Sequence, residues 1–387
     1  MKKIFAILAI FILLSTPVLG LSVYKNPLYS KGSFLDRQNN ILHSRFGKLI
    51  KNKFDVLKES ISSNKVRRDF YDFTFSPENI TLEDDAFHGA DKLHFIEWWY
   101  FDTCLDDGYS IQLSINVYDV LSFGLVVINI NVYKNGDIKA TGKEIYNLNN
   151  FNMSKEIPLI ELDGKKIMEG FIEEKTGDFI YALSLDINEI YLDLRFTSLT
   201  EGWKGNTSFG EWAVIMPKAG VDGIIKIGDN DFYHNVKGFG YHDHNWNVTI
   251  LAGINFGWIW GKVNSNNYTV IWSDILTTWY LDDPLIVVNK ENEGYVNINP
   301  EDIQIIIKDV RFENGMLIPC SFSINVWNKN ISFCVQVKVL ETHYASIMGL
   351  VYYWRYHVRY TGSITVFSKT ENIDEKNVAE FIRFRPY

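Results

Sequence analysis

Cysteine is scarce in this 387-residue sequence: Cys104, Cys320 and Cys334 are too few, and odd in number, for a disulfide framework. They read as three buried thiols, with a Cys320–Cys334 pair across neighbouring strands as the alternative. No Cys-x-x-Cys occurs, which removes the usual structural zinc motif. Basic residues are also in short supply. Lys and Arg number 38 against 47 Asp and Glu, a net charge of -9, so the basic footprint of a nucleic-acid binder is missing. Charged residues make up only 22% against 47% hydrophobic, which excludes broad disorder. No internal repeat is visible, and helical periodicity is rare beyond Phe70.

What the chain does have is aromatic rings, at 15% of residues, and these favour pleated, half-buried surfaces. The length suits two domains. At the N-terminus, Lys2 and Lys3 precede an uncharged run from Ile4 to Val23, with Pro17 and the small residue Gly20 near its end. That is the layout of a secretory signal peptide over 1–20, with an uncleaved membrane anchor as the competing reading. Both place the body outside the cytoplasm, the second with membrane association through the N-terminus. Over 21–69, Leu35, Ile41, Leu42, Phe46, Leu49, Ile50, Phe54 and Leu57 recur at spacings of three and four, which predicts an amphipathic helical linker.

Beyond Phe70 the period becomes two. Trp99, Phe101 and Thr103 share one side of a strand, and Trp98, Tyr100 and Asp102 the other. Asp106-Asp107-Gly108 and Asn135-Gly136-Asp137 are hairpin turns between such runs. Many short strands of this kind predict an all-β protein of two antiparallel barrels, a first domain over 70–225 and a second over 226–387. The Gly/Asn/Asp-rich stretch from Pro217 to Asn235 suggests the boundary.

The densest chemistry lies in Gly240-Tyr241-His242-Asp243-His244-Asn245-Trp246, which holds two of the eight histidines. As a strand it points His242, His244 and Trp246 one way, and Tyr241, Asp243 and Asn245 the other. One reading is a satisfied polar network at a strand end. Another is a metal site on His-x-His, but no third ligand is visible nearby on that face, so no metal is assigned. The third is acid–base chemistry in an aromatic pocket. Downstream, Phe256, Trp258 and Trp260 line one face of a strand, and Trp272-Ser273-Asp274 follows on the next. If these pair as a hairpin, Asp274 returns towards His244. A carboxylic acid among rings is poorly solvated, keeps its proton to higher pH and can act as a general acid. Glu97, in Glu97-Trp98-Trp99-Tyr100, is either a barrel-end anchor or a polar group in the same pocket as Trp99, Tyr241, Trp258 and Trp260.

The two motifs, Glu97-Trp98-Trp99-Tyr100 and Gly240 to Trp246, together resemble those of the carotenoid 1,2-hydratases (hydroxyneurosporene synthases), a group that includes AttH-like proteins and fungal lipocalin-like Diels–Alderases. The resemblance spans Phe70 to Tyr387. It implies two lipocalin-like β-barrel domains, a hydrophobic pocket in or between them, and cofactor-free addition of water to an isoprenoid alkene by protonation. The family's functional His and Trp match His244 and Trp246. Its downstream Tyr-x-Asp matches Trp272-Ser273-Asp274, with Trp in place of Tyr, and its glycine after the motif tryptophan is Asn247 here. On this reading Asp274 donates the proton and His244 acts as base or tunes it. Trp246 and Trp272 line the cation path, while His242, Asp243 and Asn245 are structural. The rival reading is a non-catalytic binder of lipids or other apolar ligands.

Overall fold

The computed structural model describes residues 75–89, 94–120, 123–207, 210–228, 233–248, 257–276, 282–347 and 351–384. The expected signal segment and amphipathic helix lie outside the described residues. Among these residues the fold is all-β, in two antiparallel sheets. The first contains β1 (Glu78–Asn79), β2 (His94–Leu105), β3 (Tyr109–Val120), β4 (Phe123–Lys134), β5 (Asp137–Asn147), β6 (Phe151–Met153), β7 (Leu159–Leu162), β8 (Lys165–Ile172), β9 (Phe179–Ile187), β10 (Ile190–Ser198), β11 (Trp203–Asn206), β12 (Glu211–Ile227) and β13 (Tyr233–Trp246). Its path runs β5-β4-β3-β2-β13-β12-β10-β9-β8-β7-β6, with β1 and β11 to one side. The second contains β14 (Gly257–Asn264), β15 (Tyr268–Leu276), β16 (Asp282–Lys290), β17 (Gly294–Asn297), β18 (Ile303–Glu313), β19 (Met316–Trp327), β20 (Ile331–Ile347), β21 (Val351–Val366) and β22 (Lys369–Arg383). It runs β17-β16-β15-β14-β22-β21-β20-β19-β18.

Local chemistry explains the hairpins. Asn135 and Gly136 both take positive φ, 55° and 93°, as a tight turn whose twist matches the strands requires. Each sheet curls on itself: β5 comes to lie against β9 and β10, and β16 against β18. At the first closure Gly142 matters, because a Cβ there would sit 3.1 Å from Ile187. The predicted boundary needs correction. The sheets change over between Trp246 and Gly257, so β13, with the His-Asp-His motif, belongs to the first sheet rather than to the second domain. Most of the glycine- and asparagine-rich stretch read as the boundary lies instead within the paired strands β12 and β13. Sequence composition does not separate the two uses. The three cysteines are free and half-buried, with no Cys320–Cys334 bridge.

Period two then produces three apolar layers. Trp99, Phe101, Ile115, Ile128, Leu183 and Phe196 belong to the core inside the first sheet. Ile259, Trp272, Phe322, Phe333, Trp354 and Tyr356 belong to the core inside the second. The opposite faces of β2, β13, β14 and β15 meet in a third layer containing Tyr100, Tyr241, Trp212, Trp260 and Ile271.

That middle layer also holds buried charge. Asp102 accepts from Lys262 Nζ at 2.6 Å and from Arg355 Nη2 at 2.7 Å. Burial alone would raise the Asp102 carboxyl, but the two cations beside it win and hold it below its ordinary value. Arg355 also donates to the Tyr100 hydroxyl at 2.9 Å. Ser110 meets His357 at 3.1 Å, and His343 meets the carbonyl of Gly136. Each of these contacts joins the two sheets.

Two outcomes test this joint. Arg355→Leu strips a fully buried cation from Asp102 and is expected to cost about 3–5 kcal/mol, read as a lower urea midpoint. His357 is pushed down from 6.5 to about 3, first by burial and then by Arg355. A depressed histidine leaves stability complete above the unfolded value and lost as pH falls. Unfolding free energy should therefore decline from pH 6.5 towards 3, by up to about 1.4 kcal/mol per pH unit for this one proton. His357→Gln should flatten that slope, and an unchanged slope would exclude His357 as its source.

Candidate functional site

The motif strand β13 lies between β2 and β12. Its register with β2 sets His244 opposite Trp99, His242 opposite Phe101 and Asp243 opposite Tyr100. Alternation follows the sequence reading: His242, His244 and Trp246 face the first core, while Tyr241, Asp243 and Asn245 face the middle layer.

On the inner face the motif meets a segment that the sequence reading passed over. A 3-10 turn, Leu82–Asp85, is steadied by Asp84, whose carboxylate accepts from the Thr81 N–H at 2.8 Å. The turn sends Asp85 inward, fully buried. Asp85 Oδ2 lies 3.0 Å from His242 Nε2, and Asp85 Oδ1 lies 3.2 Å from His244 Nδ1. On its other side, His244 Nε2 stands 3.0 Å from Glu97 Oε1. Glu97 is itself held by the backbone N–H groups of His88, at 2.9 Å, and Gly89, at 3.1 Å. His242 Nδ1 is 3.0 Å from the carbonyl of Tyr100. Rings fix the imidazole planes: Trp99 stacks on His244 at 4.5 Å, Phe101 on His242 at 3.8 Å, and His88 on Trp246 at 4.1 Å.

The electrostatics follow from this geometry. Burial would lower His244, but hydrogen bonds and charge from Asp85 and Glu97 raise it to about 9. Burial would raise Asp85 and Glu97, but the histidines hold both below the ordinary carboxylate range. Two carboxylates thus clamp one imidazolium.

The outer face of the same strand behaves in the opposite way. Asp243 accepts from Tyr241 Oη at 2.7 Å, Trp212 Nε1 at 3.1 Å and Asn245 Nδ2 at 3.1 Å. Burial dominates there and pushes its carboxyl up to about 7. Nearby, Glu380 on β22 sits opposite Trp260 and accepts from Tyr100 Oη and Tyr353 Oη, each at 2.7 Å. It too is raised by burial, despite Arg355 at 3.5 Å.

The residues predicted for one pocket therefore occupy three places. Glu97, Trp99, His244 and Trp246 come together inside the first sheet. Tyr241, Asp243 and Trp260 lie in the middle layer, with Trp258 packed against it. The β14–β15 hairpin forms as expected, with Ile259 opposite Asp274 and Gly261 opposite Trp272. It does not carry Asp274 back to His244. Asp274 shares its face with Trp272 and Ile259, which belong to the second core, away from Trp258 and Trp260. Trp272 donates to the Tyr360 hydroxyl at 3.2 Å inside that core. Phe256 lies outside the described residues. Asp85, His88 and Glu380 were missed. Each is isolated in sequence from the motif it meets, and only Thr81-x-x-Asp84 gave a local hint of an ordered turn.

The comparisons with known proteins agree with this architecture. By sequence the chain is 21% identical over 354 residues to a hydroxyneurosporene dehydrogenase of Chlorobaculum tepidum, covering 80% of this chain and 88% of that protein. By structure it matches a Nitrosomonas europaea protein described as AttH, with a TM-score of 0.58, 13% identity, and coverage of 80% of this chain and 98% of that one. The fold is AttH-like. Kievitone hydratase from Nectria haematococca shares it, with a TM-score of 0.52 and 10% identity, over 81% of this chain and 99% of that one. No protein-family profile matches the sequence. The resemblance read from the two motifs therefore holds, as does the expectation of two lipocalin-like barrels. One departure from the AttH-like motif also has a structural reading: Asn247 adopts φ 55°, the left-handed region that favours glycine and that asparagine tolerates best among other residues.

Asp85→Ala leaves buried His242 Nε2 without its acceptor and removes the carboxylate charge 3.2 Å from His244 Nδ1. Thermal unfolding followed by circular dichroism should show a loss of about 3–5 kcal/mol. A change below about 1 kcal/mol would mean that the clamp around His244 carries little of the inner-face stability.

Proposed function

We propose that this protein is a hydratase- or cyclase-like enzyme that protonates a hydrophobic, isoprenoid alkene in the aromatic layer between the two sheets. The observation that carries the reading is Glu380. It is buried among Tyr100, Tyr353 and Trp260, and its carboxyl is shifted towards the protonated form. Among the described residues all its hydrogen bonds converge on Oε1, which leaves Oε2 to carry a transferable proton.

The chemistry needs few parts. Glu380 gives its proton to one alkene carbon and leaves a tertiary cation on the other. The ring faces of Trp260, Tyr241 and Tyr100 stabilise that cation. These rings stand close together, with Tyr241 and Tyr100 at 5.0 and 6.0 Å from Trp260. Water adds to the cation and returns a proton to the Glu380 carboxylate, which Arg355 steadies in the interval. The sum is addition of one water, with no oxidation or reduction, so no redox cofactor is required. This moves the proton donor from Asp274, the residue that the family resemblance points to, onto the face that carries Tyr241 and Trp260. The kievitone hydratase that shares the fold supports hydration as the reaction class. An extracytoplasmic setting, through the N-terminal segment, belongs to the same proposal.

A non-catalytic binder of apolar ligands is the second reading. It draws on His242 and Asp243, whose polar atoms are saturated by internal partners. Incubation with a panel of acyclic isoprenoid alkenes in 18O-labelled water separates the two. The enzyme reading expects labelled alcohol, reduced about 10²–10⁴-fold by Glu380→Gln and largely kept by Asp274→Asn. Full turnover in Glu380→Gln removes Glu380 as the acid, and loss in Asp274→Asn alone returns that role to Asp274. An unaltered lipid held by the purified protein in native mass spectrometry, with no labelled product, points to the binder.

A further inference from the structure

The inner face of β13 offers a second kind of chemistry. We propose that His88, Glu97 and His244 form a binding site for a divalent transition metal, with zinc the best match to the ligand set.

The donors are already gathered. One nitrogen from each histidine and one carboxylate oxygen of Glu97 lie within 4.8 Å of one another. Glu97 Oε1 is 3.0 Å from His244 Nε2 and 3.4 Å from His88 Nδ1. A tetrahedral ion with ligands at about 2.0–2.1 Å spaces its donors about 3.3 Å apart, so little movement is needed to close the site. Two nitrogens and an oxygen are a borderline-hard set that suits zinc and leaves a fourth position for water.

Three further features fit a metal better than a salt bridge alone. His88 Nδ1 is buried and makes no hydrogen bond, although its ring is fixed flat against Trp246 at an interplanar angle of 3°. A histidine held only for packing has no need to aim that nitrogen at a carboxylate. Behind His244, Nδ1 bonds the Asp84 carbonyl at 3.3 Å, with Asp85 Oδ1 at 3.2 Å adding charge. A backbone carbonyl or carboxylate on the far nitrogen is the usual outer partner of a metal-ligating histidine, since it fixes the tautomer and makes the near nitrogen a better donor. Glu97 is pinned by two backbone N–H groups, so its carboxylate is oriented before any ion arrives. The ion replaces the proton that His244 Nε2 and Glu97 Oε1 share. Asp85 and Glu97 together match its charge. His88 is the ligand nearest solvent, with 29% of its side chain exposed.

The site is separate from the acid proposed above, which lies on the other side of β13. Binding would fix the 3-10 turn to the motif strand. It would also present an ion-bound water to anything that reached the barrel interior past His88.

The test uses the full chain, first stripped with a chelator. Titration with zinc chloride in a calorimeter, and elemental analysis after desalting, should give one ion per chain. Cobalt substitution should give visible absorption bands of a low-coordinate N/O site. His88→Gln, at a partly exposed position outside the strands, should fold normally yet bind at least about tenfold more weakly. Glu97→Gln should bind more weakly still. Added zinc should raise the melting temperature of the wild type and not that of His88→Gln. No stoichiometric uptake, or uptake unchanged in His88→Gln, overturns the proposal. Uptake abolished only by blocking the three free thiols would overturn it too, assigning the metal to the cysteines.

Discussion

The alternation of β13 against β2 is the constraint on which the rest of this molecule depends. These two strands lie at the centre of the first sheet and form the wall between its interior and the layer that meets the second sheet. Because successive side chains point to opposite faces, every residue of the pair must satisfy one of two unlike environments. His242, His244, Trp99 and Phe101 fill one side, and Tyr241, Asp243, Tyr100 and Asp102 the other. A slip of one residue would drive Asp102 and Asp243 into the first core and pull both histidines away from Asp85. The register is therefore over-determined by polar partners as much as by apolar packing.

Those partners give the two faces opposite electrostatic character. Inside the first sheet, carboxylates meet imidazoles, so Asp85 and Glu97 are held ionised while His244 is held charged. In the middle layer, Asp243 and Glu380 meet phenols and indoles, which donate hydrogen bonds but carry no charge, and both are pushed towards the neutral acid. Arg355 does not reverse this for Glu380, because its shorter contact, 2.7 Å, goes to Asp102. Carboxyl groups whose surroundings push their pKa values apart are the raw material of acid–base chemistry. Here the split occurs across the thickness of a single strand.

Much of this was legible in the sequence. Strand faces, the hairpin at Asn135-Gly136 and the pairing of β14 with β15 all followed from period two and turn chemistry, which are local signals. What was not legible depends on contacts between distant segments. Asp85 ends a short 3-10 turn and His88 follows it three residues later, and both reach His244 across about 155–160 residues of sequence. Glu380 is one acidic residue on a mixed strand, and nothing nearby marks it as buried among rings. Asp274 was placed wrongly for the same reason. Its hairpin was read correctly, but the face it presents is decided by how β14 pairs with β22, more than a hundred residues later. The domain boundary failed differently, because a glycine- and asparagine-rich hairpin and a linker have the same composition.

Trp272 shows how fold and chemistry can separate at one position. The hydratase motif has tyrosine there, and a phenol beside an aspartate invites a proton-transfer role. In this chain the indole sits in the second core, edge-on to Phe322 at 5.5 Å, and gives its N–H to Tyr360. That arrangement satisfies an indole in an apolar core without reference to any reaction. Gly261, directly opposite on β14, leaves the room it needs: a Cβ there would come within 2.7 Å of the ring. The tryptophan is thus accommodated as packing. A barrel core can accept the change and keep its shape, whereas a reacting group cannot change in this way and keep its chemistry. The substitution therefore weakens the case for catalysis at Trp272-Ser273-Asp274 and leaves the β2–β13 wall, with its two differently charged faces, as the place where the function of this chain should be sought.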